Sequence, residues 1–315
     1  GTAGTGKSFV IKALKEHLNN SLLIAAPTGK AAYNIGGSTI HSLLSLPREL
    51  YKESKLPSAS KNKLQEKFKN IEYLIIDEFS MIGLRMLYWI DLRLKDATGM
   101  KDKIFGGINI ILVGDIFQLP PVNDTSLCRN FGDKKIAQQT MHATMLYKEF
   151  RNVVILQQNV RQQGTDIDQI NFRRCLENVR LGTFDDIDYQ LLETRMWHNE
   201  DISSQFKSIV DDSIHVYFRK INVNEQNWNR VTKLRKQILK IPSYNPHHLA
   251  GRASSSEAGG LQKNLYLCKG ARVMLIKNLW PEHGLCNGAM GTVVSMIFRQ
   301  GESVRNMHFN EDDED

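Results

Sequence analysis

Three unbroken apolar runs limit what this chain can fold into: "SLLIAAP" (21–27), "IEYLIID" (71–77) and "INIILVGD" (108–115). Hydrophobicity that is continuous rather than alternating suits strands covered on both faces, and hence a parallel sheet. Between the runs lie stretches with helical spacing. Lys7–Leu18 carries Val10, Leu14, His17 and Leu18 on one face, and Gly83–Lys95 lines up Leu87, Ile90 and Leu94. Strand–helix alternation of this kind predicts a doubly wound α/β domain.

The sequence opens "GTAGTGKSFV", in which Gly1, Gly6, Lys7 and Ser8 fit the G-x-x-x-x-G-K-[ST] pattern. In such a loop, glycines let backbone N–H groups turn inward on phosphates, the lysine neutralises the β/γ oxygens and the hydroxyl reaches Mg²⁺. A helix starting at Lys7 adds its positive end. Gly1, Thr2, Ala3, Gly4, Thr5, Gly6, Lys7 and Ser8 are therefore the candidate ATP loop, against the plainer reading of a Gly-rich turn.

Three further motifs sit at the ends of apolar runs. "LIIDEFSM" (74–81) puts Asp77 and Glu78 at the mouth of a strand, where one acid can hold the Mg²⁺ shell and its neighbour can polarise water. "GDIFQLPPV" (114–122) offers Gln118, whose amide suits a γ-phosphate, although a buried structural glutamine fits the same turn. "NVVILQ" (152–157) reads as another buried strand, and Arg161 just beyond it can face either a leaving phosphate or solvent. In "APTGKAAYNIGGSTIHS" (26–42), Thr28, Lys30, Thr39, His41 and Ser42 offer hydroxyls, a cation and an imidazole suited to backbone phosphates, with a structural His41 as the alternative.

Lys and Arg total 41 against 34 Asp and Glu, a net +7 despite the acidic run Glu311–Asp315, which reads as a solvated tail. That balance suits a polyanionic partner. The 4 cysteines are scattered with no C-x-x-C pair, which argues against a structural metal or a disulfide framework. No apolar run approaches the roughly 18 residues that span a bilayer, so no membrane role is expected.

The expected organisation is a first domain over 1–124, a second over 125–260, a small β element over 261–310 and the tail 311–315. Within the first, the charged stretch 48–69 reads as a surface excursion followed by a short helix rather than core. In the second, Phe172, Cys175, Leu176 and Val179 mark a helix face with Thr165 as cap and Gly182 as stop. Val231, Leu234, Ile238 and Ile241 predict another helix ended by Pro242, followed by a loop over 242–260.

Taken in order, GTAGTGKS, APTGKAAYNIGGSTIHS, DEFSM, GDIFQLPP and NVRQ resemble the petite-integration-frequency (PIF-type) DNA helicases of superfamily one, in their Helitron-like eukaryotic branch. "KGARVMLIKNLWPEHGLCNGAMGTVV" (269–294) is similar to the segment that leads into that family's small SH3-like β insertion. The resemblance implies an α/β P-loop NTPase with two RecA-like domains, the second incomplete. It also implies ATP and Mg²⁺ as cofactors, and 5′ to 3′ movement on single-stranded DNA with unwinding at duplex junctions. The setting would be repair, recombination or telomere maintenance in the nucleus or mitochondrion. By motif position Lys7 and Ser8 would hold phosphate and metal, Asp77 the metal, and Glu78 the attacking water. Gln118 would sense the γ-phosphate, Arg161 would be the arginine finger, and Thr28, Lys30, Thr39 and His41 would line the DNA track. Residues 48–69 would stand where the family has its strand-separating wedge. The family also carries a strand and an adenine-recognising segment ahead of the phosphate loop, and further motifs beyond the β insertion. The expectation is therefore an internal portion of a helicase core. A nucleic-acid-binding remnant without efficient hydrolysis is the alternative, and an unrelated P-loop ATPase a third.

Overall fold

The computed structural model describes residues 1–47, 50, 55–129, 137–196, 204–244, 258, 260–297 and 305–307. In chain order its elements are α1 (Lys7–Leu18), β1 (Leu22–Ala26), α2 (Gly29–Asn34), β2 (Ser38–Thr39), α3 (Ile40–Leu44), α4 (Ser58–Phe68) and β3 (Tyr73–Ile76). Next come α5 (Leu84–Thr98), β4 (Asn109–Leu112), α6 (Gln138–Lys148), α7 (Ile167–Leu181), α8 (Asp186–Glu193), α9 (Ser204–Asp212) and α10 (Lys220–Lys233). The last are β5 (Ile238–Pro242), β6 (Asn264–Leu267), β7 (Arg272–Met274), β8 (Met290–Thr292) and β9 (Arg305–Met307). The chain divides into two compact units, Gly1–Asn199 with Leu279–Leu285, and Glu200–Asn278 with Cys286–Asp315. Residues 125–199 thus group with the first sheet.

In the first unit the three apolar runs become β1, β3 and β4, which pair in parallel with β2 in the order β2-β1-β3-β4. Strand residues alternate between two cores. Leu74 and Ile76 of β3 pack with Leu84, Leu87, Ile90 and Leu94 of α5, whereas Ile75 joins Ile11 of α1 and Ala32 of α2. Both faces being covered explains why the runs are continuously apolar. Burying each such side chain contributes about 1.5–3 kcal/mol. On α1 the buried side chain is Ile11, while Val10, expected inward, is 37% exposed.

Helix α5 is fixed at both ends. The Asp124 carboxylate accepts from the N–H groups of Arg85 (3.2 Å) and Met86 (3.1 Å), and Gly99 ends the helix at φ +77°. Asp91, fully buried, accepts from Lys95 at 2.7 Å and the Phe105 N–H at 2.7 Å, and bonds the His142 ring at 3.1 Å. This joins α5 to α6.

Four expectations need correction. Helix α4 is not a surface appendage, because Leu64 and Phe68 are buried in the core beside α5; Arg48, Glu49 and residues 51–54 of that stretch lie outside the described residues. Residues 152–157 form no strand: Val153, Val154 and Ile155 are 74%, 86% and 69% exposed, with no strand paired to them among the described residues. Helix α7 is capped by Asp166, whose carboxylate accepts from the Gln169 N–H, and not by Thr165, although Gly182 is its stop. The helix expected through Ile241 ends at Lys233; Arg235 takes φ +48°, and Ile238 and Ile241 are strand residues. The loop expected over 242–260 and the acidic tail 311–315 fall almost wholly outside the described residues.

The second unit contains antiparallel sheets in the orders β6-β5-β9 and β7-β8. Ile238, Cys268 and Ala271 form its small core with Val231, Tyr266 and Val293. The Lys233 ammonium donates to Asp211 at 2.8 Å and ties α10 to α9.

Candidate active site

The phosphate loop owes its shape to its glycines. Gly4 and Gly6 take φ of +82° and +85°, the left-handed region that residues with a Cβ enter only at a cost. Gly6 is the N-cap of α1 and no side chain caps the helix, so its first N–H groups are available to an anion. Thr5 is buried and its hydroxyl donates to the Thr2 carbonyl at 2.8 Å. The Lys7 ammonium folds across the loop, donating to the carbonyls of Gly1 at 3.0 Å and Thr2 at 2.8 Å. Ser8 stands exposed on the first turn of α1.

Two other segments close on this loop. At the end of β4 the Gly1 nitrogen donates to the Gly114 carbonyl at 3.4 Å. The extended segment after α6 docks along the loop, with the Val160 N–H donating to the Gly4 carbonyl at 2.8 Å. The approach is close enough to exclude side chains. A Cβ on Gly1 would lie 2.7 Å from the Leu156 carbonyl oxygen, and one on Gly4 would lie 2.8 Å from the Arg161 Cβ. Arg161 therefore stands beside the phosphate loop, its side chain exposed and its N–H donating to Asn159 Oδ1 at 2.9 Å.

Asp77 follows β3 and is buried; Glu78 beside it takes φ +53°. Burial pushes the Asp77 carboxyl above its ordinary range, with a backbone hydrogen bond and the Lys7 charge opposing. Glu78 is raised by burial and then by the Asp77 charge, with Lys7 again opposing. Lys7, Asp77 and Glu78 thus share one electrostatic neighbourhood. A hydroxyl at Ser8 and a carboxylate at Asp77 are hard oxygen donors. They fit Mg²⁺, which takes one or two protein oxygens and completes its shell with phosphate and water. Among the described residues no group of three or more His, Cys, Asp and Glu is placed to hold a metal ion. Gln118 is half-buried in the turn after β4, its N–H donating to the Asp115 carbonyl at 3.0 Å.

Sequence reasoning missed Asp115 and Arg180. The guanidinium of Arg180, on α7, grips Asp115 in a fork, with Nη1 to Oδ2 at 2.7 Å and Nη2 to Oδ1 at 2.6 Å. It also lies 4.6 Å from the Phe117 ring centroid. The Arg180 fork holds the Asp115 carboxyl below its ordinary range. Asp115 stood in a quoted motif, but nothing local pointed to a partner 65 residues away.

Thr28, Lys30, Thr39 and His41 form a separate group at the ends of β1 and β2, where Ala26 is in register with Thr39. The Thr28 hydroxyl accepts from the Ala31 N–H and Thr39 from the Ser42 N–H, each at 3.2 Å, so both threonines cap short helices. Each hydroxyl keeps its own O–H to donate. Lys30 is exposed, its ammonium 6.0 Å from the Tyr33 ring. His41 is half-buried, and burial lowers its pKa, which favours the neutral imidazole. No helix among the described residues is long and apolar enough to cross a membrane.

The geometry has counterparts among known proteins. A family profile described as PIF1-like helicase matches residues 1–190, and one described as the 2B domain of DNA helicase Pif1 matches 256–296. The chain is 30% identical to the ATP-dependent DNA helicase PIF1 of Xenopus laevis over 308 residues, covering 96% of this chain and 44% of that protein. It is 29% identical to the enzyme of that name from Saccharomyces cerevisiae (strain YJM789), covering 94% of this chain and 33% of that protein. The chain therefore spans less than half the length of these curated relatives. A Bacteroides Pif1 bound to ssDNA superposes with a TM-score of 0.62 at 25% identity, over 94% of this chain and 65% of that one. A Pif1 structure described in terms of DNA unwinding at forked dsDNA superposes at 0.64 with 25% identity, over 95% of this chain and 67% of that one. The fold is accordingly the P-loop, RecA-like α/β class. With more than half its length matched by the family profile, this chain belongs to the PIF1-like helicases.

Proposed function

We propose that this chain carries the ATP-hydrolysing and part of the strand-tracking machinery of an ATP-dependent DNA helicase moving 5′ to 3′ on single-stranded DNA. Lys7 and the loop Gly1–Ser8 hold the triphosphate, Ser8 and Asp77 hold Mg²⁺, and Glu78 orients the attacking water. Gln118 reads the γ-phosphate and Arg161 offsets charge developing on the transferred phosphoryl group. Thr28, Lys30, Thr39 and His41 contact the strand backbone. Substrates are single strands and duplex junctions of nuclear or mitochondrial DNA, in repair, recombination or telomere maintenance. The proposed domains are 1–124 and 125–260 for the two RecA-like parts, although 125–199 pack in the same compact unit as the first sheet, with 261–310 for the β insertion, 311–315 for the tail and 48–69, whose helix α4 also contributes to the core, in the wedge position.

One observation carries the reading. The segment bearing Arg161 is hydrogen-bonded to the phosphate loop itself, through the Val160 N–H and the Gly4 carbonyl at 2.8 Å. The test is ATP turnover by the full chain with and without single-stranded DNA. Stimulated turnover that disappears in Lys7→Ala supports the proposal; equal turnover in that variant refutes it. The group Thr28, Lys30, Thr39 and His41, which stands apart from the phosphate loop at the ends of β1 and β2, favours a second reading, single-strand binding without efficient hydrolysis. Salt-sensitive binding to single strands with no turnover would establish that instead.

A further inference from the structure

Within the first unit, helix α7 is held by polar contacts far more than by apolar burial. Cys175 is its one buried residue among those described, and Ile167, Ile170, Leu176, Val179 and Leu181 are all exposed. Two arginines do the holding. Arg173 Nη1 donates to the carbonyls of Gln162 at 2.9 Å and Gly164 at 2.7 Å, which fastens the turn after Arg161 to the helix. Arg180, seven positions later and so on the same helix face, forks onto Asp115. The residue before Asp115, Gly114, is the one bonded to Gly1 of the phosphate loop. The contacts form a ring: phosphate loop, Gly114-Asp115, Arg180, α7, Arg173, Gln162, Arg161 and back through Val160 to Gly4.

We propose that Arg180 is a positioning residue whose fork on Asp115, backed by the Phe117 ring, docks the Arg161-bearing segment on the phosphate loop. Arg180 acts through other groups and touches no reacting atom. A planar fork matching both carboxylate oxygens fixes direction as well as distance, which a lysine ammonium cannot reproduce. The Asp115 side chain is 2% exposed, so removing its partner leaves a buried carboxylate uncompensated and loosens the turn that carries Gln118. The catalytic half of the proposal rests on Arg161 serving the nucleotide; the docking half does not.

The experiment compares the full chain with its Arg180→Gln and Arg180→Lys variants by two readouts. Amide hydrogen exchange at Val160 reports docking directly, since that N–H is the donor to Gly4. Arg180→Gln is expected to speed it about tenfold or more, with Leu74–Ile76 as protected as before, and Arg180→Lys to fall between. In single-strand-stimulated ATP turnover, Arg180→Gln is expected to lower kcat ~10–100-fold with little change in KM, the mark of a misplaced catalytic group. Unchanged exchange at Val160 overturns the docking, and faster exchange with unchanged kcat overturns the catalytic half. If the unsubstituted chain shows no turnover, the hydrolase reading fails and exchange alone decides the docking. If Arg180→Gln loses core protection, Phe117→Leu, at a 63% exposed position, replaces it. That variant is expected to speed Val160 exchange about 2–5-fold, and no acceleration overturns the proposal.

Discussion

The Gly4 backbone lies directly against the Arg161 side chain: a Cβ built on the glycine would stand 2.8 Å from that of the arginine and 2.7 Å from Asn159 Oδ1. Gly4→Ala must therefore strain φ, at +82°, and also push the arginine segment off the loop. The strain alone costs about 1–3 kcal/mol. A titration with a fluorescent ATP analogue is expected to show affinity at least tenfold weaker. Gly99→Ala is the control, since it has similar φ but nothing within 4 Å of the new methyl. It is expected to cost about 1 kcal/mol in urea unfolding and leave nucleotide affinity alone.

Glu78→Gln is expected to stabilise the protein at neutral pH while suppressing turnover. The carboxyl is raised by burial and by Asp77, so its folded pKa lies above its unfolded one. Between those values the native state holds a proton that the unfolded state has lost. Ionisation at higher pH therefore works against folding. The neutral amide escapes this cost, so Tm rises at pH 7. As pH falls through the folded pKa toward the ordinary carboxylate range, the wild type regains stability and the difference closes. The acid limb of the wild-type turnover profile should correspondingly lie above 4.5, the ordinary glutamate value. A Tm difference independent of pH would refute this account.

Asp124→Ala removes one carboxylate that accepts from the N–H groups of Arg85, Met86 and Thr125 and from the Arg85 guanidinium. Several donors at the start of α5 then lose their acceptor together, so the cost should reach the upper part of the range for a helix cap, about 1–3 kcal/mol by urea unfolding. Asp124→Asn keeps one acceptor oxygen and is expected to recover about half of it. Because none of the proposed nucleotide residues lies on α5, the KM for ATP should not move in either variant.

What the sequence made legible follows from how local each signal is. β1, β3 and β4 were readable because being covered on both faces forces nearly every residue of a short run to be apolar, the exposed Asn109 at the start of β4 excepted. The phosphate loop was readable because its backbone needs glycine at particular positions, Gly4 and Gly6 among them. Residues 152–157 have the same apolar look, yet Val153–Ile155 remain exposed, since a strand also needs a neighbour and composition does not supply one. Val231, Leu234, Ile238 and Ile241 have helical spacing across a break at Arg235, whose φ of +48° no periodicity reveals. The Arg180–Asp115 fork was illegible for a simpler reason: pairing at long separation is decided by the topology that brings α7 to the end of β4.

Thr39 and Lys30 separate a structural role from a recognition role within one group of residues. Thr39→Val removes the oxygen that accepts from the Ser42 N–H, so it should cost about 1 kcal/mol of stability, and Thr39→Ser should cost much less. Among the described residues Lys30 has no hydrogen-bond or ion-pair partner, so Lys30→Ala should leave the urea midpoint in place. If its ammonium neutralises one phosphate, the plot of log affinity for single-stranded DNA against log salt should flatten by about 0.7, the counterion released per contact on a single strand. The affinity loss should be the same for every base sequence, because a phosphate contact reads none. Thr39→Val should weaken binding without changing that slope, since a hydroxyl displaces no counterion. An unchanged slope in Lys30→Ala would take that lysine off the track, and a changed slope in Thr39→Val would mean that the cap organises neighbouring cations rather than donating to the strand itself.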